Sequence, residues 1–306
     1  MDCVLKTYGL TKKYKKHLAV NDAEMTICRG DIYGFVGENG SGKTTIIRLI
    51  TGLIFANEGR FELFGTPNDS KDIAVARRKV GAVVESPSIY RNMSAYDNLK
   101  MQCIILGLPA DQRIADVLNE VGLGDLIGDK KHAGDFSLGM RQRLGIAMAL
   151  LGEPEFLILD EPMNGLDPAG IVEIRELILK LNRERNITFL ISSHILSELS
   201  LVATKYGIIS KGHIIKEITA AELQKELAKT TDITVDNPEK LVEVIGDILP
   251  FEATSYIPDG VSIVGEIDLN KVLAAIIDAG IRIISVNCHE SSFEDYYLET
   301  IGGKKA

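Results

Sequence analysis

Residues 37 to 45 read Gly37-Glu38-Asn39-Gly40-Ser41-Gly42-Lys43-Thr44-Thr45. The stretch fits the phosphate-binding pattern G-x-x-x-x-G-K-[ST], with Gly37, Gly42, Lys43 and Thr44 at the fixed places. Upstream lies the short apolar run Ile32-Tyr33-Gly34-Phe35-Val36, of strand type. Downstream, Ile46, Ile47, Leu49, Ile50 and Leu53 recur at helical spacing, ending near Gly52. Strand, glycine loop and helix together predict an anion cradle. Glycines lack a Cβ, so the backbone can curl and turn its N–H groups inward. The helix that opens near Lys43 adds the positive end of its dipole. Asn39, Gly40, Ser41 and Thr45 complete the loop. Lys43 would reach the β/γ-phosphates of a nucleoside triphosphate, and the Thr44 hydroxyl would ligate Mg²⁺.

A second signal is Phe156-Leu157-Ile158-Leu159-Asp160-Glu161-Pro162. Four successive apolar residues predict a parallel strand buried on both faces, and two acids stand at its C-terminal end. In open α/β sheets, ligands bind outside those ends. Neighbouring strand residues point to opposite sides, so Asp160 and Glu161 divide the work. Asp160 would hold Mg²⁺ through water, and Glu161 would polarise an attacking water. Ile187-Thr188-Phe189-Leu190-Ile191 predicts another buried strand, delivering Ser192, Ser193 and His194 to the same edge. That placement favours a polar role near phosphate for His194. His17, His132, His213 and His289 receive no assignment.

Other positions are informative only in company. Tyr14 offers a π-face on which a base can stack, and taken alone it also reads as a half-buried surface tyrosine. Val80-Gly81-Ala82-Val83-Val84 predicts a strand ending at Glu85-Ser86-Pro87, where an acid is equally a solubilising flank. From Ser94 to Leu151 the pattern is helical, broken at Gly107-Leu108-Pro109 and around 122–134. Its last helix opens at Ser137, a good N-cap, with Gly139 leaving room for close approach. Asn164-Gly165-Leu166-Asp167-Pro168 turns into an amphipathic helix over about 168–182.

The 306 residues exceed one average domain. A 45% hydrophobic, 25% charged composition suits a chain that buries a real core. The net charge of −9 argues against general nucleic-acid binding, and no nucleic-acid partner is expected. Cys3, Cys28, Cys103 and Cys288 are scattered without metal-like spacing, and they read as reduced thiols of a cytosolic protein. No stretch approaches ~18 uninterrupted apolar residues, so any membrane role is expected to go through a partner. Strands are expected over 2–8 and 24–28. The hairpin Tyr206–Ile209 and His213–Ile215 closes the first domain, followed by a helix over 219–228 and a polar linker, Lys229-Thr230-Thr231-Asp232. Beyond it the pattern reads strand 233–235, helix 238–248, strand 251–256, strand 261–265, helix 268–279, strand 281–287. The order βαββαβ suggests a ferredoxin-like unit, and a terminal helix follows over 293–301.

In order and spacing these pieces resemble the ATP-binding subunit of an ABC transporter, over residues 1 to about 217. The resemblance implies an α/β P-loop NTPase fold with an antiparallel β subdomain and an inserted helical subdomain (about 86–151). The ATP-binding domain would cover 1–228, with a small α+β domain over 229–306. It assigns Tyr14 to adenine stacking, Ser137-Leu138-Gly139-Met140 to the family signature, Asp167 to the D-loop and His194 to the switch histidine. The implied cofactors are ATP and Mg²⁺. The implied partners are a second copy, head to tail, whose Ser137 and Gly139 cap the γ-phosphate, and separate permease subunits at the cytoplasmic face of the membrane.

Two positions depart from the common pattern. The signature usually reads Leu-Ser-Gly-Gly-Gln, and Glu85 stands where glutamine is usual. An acid there is similar to bacitracin- and lantibiotic-type exporter ATPases, which protect bacteria from peptide antibiotics. As a hard oxygen donor it can itself ligate Mg²⁺, or it simply does what glutamine does. A non-transport ABC ATPase on a nucleic-acid or ribosome partner is the main alternative. The single glycine loop, the lack of internal repeats and the lack of a heptad run argue against it. A sensor that binds ATP without turnover is a second alternative, opposed by the Asp160-Glu161 pair and His194.

Overall fold

The computed structural model describes residues 2–227, 230–246, 254–265, 267–289 and 292–302. The chain divides into two compact units, Met1–Ala220 and Ala221–Ala306.

The first unit is built on a six-stranded sheet ordered β11-β10-β4-β9-β8-β7. Its strands are β4 (Ile32–Val36), β7 (Val80–Val83), β8 (Phe156–Asp160), β9 (Thr188–Ser193), β10 (Lys205–Ser210) and β11 (His213–Thr219). Neighbours from β10 to β7 are parallel, and β11 returns antiparallel. Every residue of β4, β8 and β9 is buried, as continuous apolar runs in a parallel sheet require. Because these strands run the same way, the residues that follow β4, β7, β8 and β9 emerge at one edge.

An antiparallel sheet carries β1 (Cys3–Tyr14), β2 (His17–Ala23), β3 (Thr26–Cys28), β5 (Glu58–Leu63) and β6 (Thr66–Pro67). Helix α1 (Lys43–Thr51) contributes Ile46, Ile47, Leu49 and Ile50 to a core shared with residues of both sheets, from Val4 to Ile209. Gly52 ends α1 in the left-handed conformation at φ 80°. The first strand runs six residues past its expected end and forms a hairpin with β2, in which Tyr14 pairs with His17.

After α2 (Ile73–Arg77), helices α3 (Ala95–Leu106), α4 (Asp111–Glu120) and α5 (Leu138–Leu150) lie between β7 and β8 in the chain. Ser94 caps α3 and Ser137 caps α5, each accepting a backbone N–H. Helix α5 runs so close to the loop after β7 that a Cβ on Gly145 would lie 2.6 Å from Pro87 Cβ. Helix α6 (Pro168–Arg185) starts at Asp167 with proline in its first turn, and α7 (Leu196–Ser200) follows β9.

The β4–β10 contact fixes one stability prediction. A Cβ on Gly207 would sit 2.0 Å from the hydroxyl of fully buried Tyr33, which donates to Glu217 Oε1 at 2.9 Å. Gly207→Ala should therefore cost about 1–3 kcal/mol by overpacking, and more where the buried hydrogen bond also breaks. A urea midpoint lowered at constant m-value checks this.

The second unit opens with α8 (Ala220–Glu226) and continues β12 (Thr230–Val235), α9 (Pro238–Gly246), β13 (Thr254–Ile257), β14 (Gly260–Val264), α10 (Leu269–Asp278), β15 (Ile283–His289) and α11 (Phe293–Thr300). The sheet order is β13-β14-β12-β15, antiparallel throughout. Thr230, Thr231 and Asp232, expected as linker, are instead the first residues of β12. Residues 228 and 229, the end of the helix expected to 248 and the start of the strand expected from 251 lie outside the described residues. A core of Ile233, Val235, Leu241, Ile263, Ile276 and their neighbours belongs to this unit alone.

Candidate nucleotide site

The loop between β4 and α1 is shaped by residues that admit no side chain. Gly42 has φ 113°, and a Cβ there would lie 2.6 Å from the Ala19 carbonyl oxygen. Gly42 also occupies the N-cap of α1 without any side-chain cap, so the first-turn N–H groups are left for an anion. The Ser41 hydroxyl is buried without a protein partner.

Lys43 is only 5% exposed. Its ammonium donates to the Gly37 carbonyl at 2.6 Å and the Glu38 carbonyl at 3.2 Å, and it lies 3.5 Å from Glu161 Oε1. Thr44 Oγ1 donates to Asp160 Oδ2 at 2.9 Å. The other oxygen of buried Asp160 accepts from Ser192 Oγ at 2.5 Å. Loop and acid strand are thus joined directly.

Glu161 stands one residue beyond β8 with a left-handed backbone, φ 53°. Its N–H donates to Ser192 O at 3.1 Å and to Ser192 Oγ at 3.0 Å. Its Oε2 lies 2.6 Å from His194 Nδ1. The carboxylate therefore bridges the cation of the loop and the imidazole from the end of β9.

These residues open on a cleft of about 330 Å³ lined by Tyr14, His17, Asn39, Gly40, Gly42, Lys43, Thr44, Thr45, Glu161 and Asn164, among others. Tyr14 is 41% exposed, with Lys12 Nζ 5.3 Å from its ring centroid. His17 enters the cleft because the β1–β2 hairpin turns at Lys15, at φ 53°. Ser192, His17 and Asn164 are residues that sequence reasoning left without a role.

Four expected site residues stand elsewhere. Ser137 uses its hydroxyl to accept from the Met140 N–H at 3.2 Å. A Cβ on Gly139 would lie 3.8 Å from Leu166, and one on Gly165 would lie 3.4 Å from Leu138, so the signature segment packs beside the turn that precedes α6. Asp167 Oδ1 accepts from Gly170 N at 3.1 Å as the helix cap. None of Ser137, Gly139 and Asp167 lines the cleft. Glu85, at φ 62°, pairs with Arg48 of α1 through a short hydrogen bond and is 58% exposed. Arg48 lies one turn beyond Thr44 on α1, so Thr44 engages the end of β8 and Arg48 the acid after β7.

A glycine loop with a buried lysine, a threonine–aspartate pair and a glutamate at the edge of a parallel sheet define a P-loop ATPase. The family model described as ABC transporter matches residues 20–164. Over 307 residues the chain is 42% identical to the bacitracin transport ATP-binding protein BcrA of Bacillus licheniformis, covering 99% of each. It is 44% identical over 226 residues to the lantibiotic transport ATP-binding protein SrtF of Streptococcus pyogenes, covering 73% of this chain and 95% of that one. The solved structure of cbiO1 from Clostridium perfringens, part of an ABC transporter complex, superposes with a TM-score of 0.66 at 29% identity, covering 73% and 91%. The chain belongs to the ATP-binding subunits of ABC transporters. It binds ATP and hydrolyses it in a reaction coupled to transport. Among the described residues no helix is long and apolar enough to cross a membrane.

Proposed function

We propose that this subunit drives a bacterial exporter that expels peptide antibiotics of the bacitracin and lantibiotic kind. One observation carries the reading: the likeness to BcrA runs through the second unit as well as the first, over 99% of both chains. The permease holds the subunit at the cytoplasmic face of the membrane, seated in the groove of about 770 Å³ lined by Val84, Pro87, Ile105 and Met148 among others. The nucleic-acid alternative is not favoured, because the matched relatives are named as transport proteins.

Two copies work head to tail, each holding half of each site. The separation of Ser137 and Gly139 from the cleft supports this, since a γ-phosphate cap from them then comes from the second copy. Asp167 belongs to the same interface. Within one copy, Lys43 and the loop N–H groups bind the phosphates, and Tyr14 stacks on the adenine. Glu161 accepts a proton from the attacking water, and His194 orients Glu161.

The donor set fits Mg²⁺, for the Thr44 hydroxyl and the Asp160 carboxylate are hard oxygen donors already brought together. When bound, the metal neutralises charge on the β- and γ-phosphate oxygens. Glu85 is a third candidate ligand, and its pairing with Arg48 means the carboxylate must leave the guanidinium to reach a metal. We assign it to coupling between the site and the permease groove. Glu85→Ala is then expected to lower peptide tolerance more than it lowers the ATPase rate; equal changes in the two would remove the special role.

We assign ATP binding to residues 1–228, with the helical insert over about 86–151, and a ferredoxin-like unit to 229–306; the compact units themselves divide between Ala220 and Ala221. The order β13-β14-β12-β15 supports the ferredoxin-like unit. Co-expression with neighbouring permease genes in a sensitive host tests the whole reading. Survival against bacitracin and a lantibiotic should rise and should depend on Glu161. Unchanged survival against both, with phosphate release intact, overturns export while leaving the ATPase standing.

A further inference from the structure

Cys3 and Cys28 face each other across the antiparallel sheet, as register partners on β1 and β3. The flanking ladder bond runs from the Arg29 N–H to the Asp2 carbonyl at 3.0 Å. The N–H of Cys28 itself is taken by Asp31 Oδ2 at 2.8 Å. That pattern makes the two cysteines a non-hydrogen-bonded pair, the kind whose Cα atoms approach to about 4.5 Å with side chains closest together. A disulfide needs Cα atoms roughly 4.4–6.8 Å apart, a span that direct cross-strand partners meet, and the ladder's irregularity falls between Cys3 and Leu5, after this pair. Both cysteines are partly exposed, whereas Cys103 is buried and Cys288 lies in the second unit.

We propose that Cys3 and Cys28 form a reversible thiol-modification site, which closes to a cross-strand disulfide on meeting a low-molecular-weight disulfide. Neither residue lines the nucleotide cleft, and the site is independent of what the exporter carries. The Cys3 thiolate attacks one sulfur of the small disulfide, forming a mixed disulfide and expelling one thiolate. Cys28 then gives up its proton to solvent, and its sulfur attacks the sulfur of Cys3. The Cys3–Cys28 bond forms and the second small thiolate leaves. Two cysteines lose two protons and two electrons, and the small disulfide is reduced to two thiols. Burial first, then the neighbouring Asp31 carboxylate, push the Cys28 thiol up. A raised thiol is the poorer first nucleophile, so Cys28 takes the part of the resolving thiol. Under reducing conditions the same exchange runs backwards.

The bond would tie the start of β1 to the strand that leads, through Asp31, into β4 and the phosphate loop. The test treats the full-length protein with oxidised glutathione, blocks remaining thiols with N-ethylmaleimide, and maps peptides without reduction. The expected product is a peptide pair joined through Cys3 and Cys28, with two fewer alkylated cysteines, reversed by dithiothreitol. Its urea midpoint should rise, because the cross-link restricts the unfolded chain. In Cys28→Ser, glutathione should remain on Cys3 as a mixed disulfide. Wild-type protein in which Cys3 and Cys28 both stay alkylatable while Cys288 is glutathionylated would overturn the proposal. So would a stable mixed disulfide at Cys3 that Cys28 does not resolve.

Discussion

Glu161→Gln is expected to lower steady-state ATP hydrolysis by roughly 10²–10⁴-fold, the loss typical of removing a general base, with ATP binding retained. The residue's position does not depend on its carboxylate. Its N–H bonds to Ser192 O and Ser192 Oγ hold the left-handed backbone in place, and glutamine has the same shape. The amide can still meet His194, yet it cannot accept the proton of an attacking water. Nor does it compete with phosphate for the Lys43 ammonium, now 3.5 Å from Glu161 Oε1. Phosphate release and nucleotide binding should therefore separate in this variant. An ATP-trapped dimer on a sizing column is the accompanying result, and undiminished turnover would sink the assignment.

Lys43→Ala should fail one step earlier. Here kcat/KM for ATP is expected to fall by at least roughly 10²–10³-fold, as for removal of one preorganised donor to developing charge, and the fall should include a raised KM. Two effects act together. The phosphates lose their buried cation, and Glu161, at 18% side-chain exposure, loses the cation beside it. The acid then repels the incoming phosphates. The double variant Lys43→Ala, Glu161→Gln separates them: it should regain part of the nucleotide affinity without regaining hydrolysis. Unaltered KM in Lys43→Ala would remove the lysine from phosphate binding. A thermal melt serves as the folding control, since Lys43 also ties down the Gly37 and Glu38 carbonyls.

The parts of this site written in single stretches of sequence were legible there. The phosphate loop declares itself because its glycines, lysine and threonine have fixed offsets. Strands β4, β8 and β9 declare themselves because burial on both faces leaves only apolar residues. The β1–β2 hairpin was hidden: Lys12 and Lys13 lie at the end of its first strand, Lys15 and Lys16 form its turn, and Lys15 takes a conformation usually left to glycine or asparagine. His17 could be placed in the cleft only after that hairpin folds. Ser192 was overlooked for another reason. Its hydroxyl matters through Asp160 and Glu161, about thirty residues away in sequence and adjacent only across the sheet. The Arg48–Glu85 pair likewise joins a helix to a strand end that no local pattern connects. In the second unit, Thr230 to Asp232 looked like linker because all three are polar, yet threonine suits a strand and Thr231 is buried in this one.

The seat that Gly145 leaves for Pro87 has a mechanical meaning. Helix α5 begins at the segment proposed to meet the other copy's ATP, and Pro87 follows Glu85 by two residues. The proline ring seats directly against the bare Gly145 backbone, like adjoining teeth. Any rotation of α5 would therefore press on the loop after β7, and through it on the wall of the large groove, which Pro87 and Gly145 both line. Filling the notch with even a methyl group would push the two apart, so the bare backbone at Gly145 would set the gearing between nucleotide and groove.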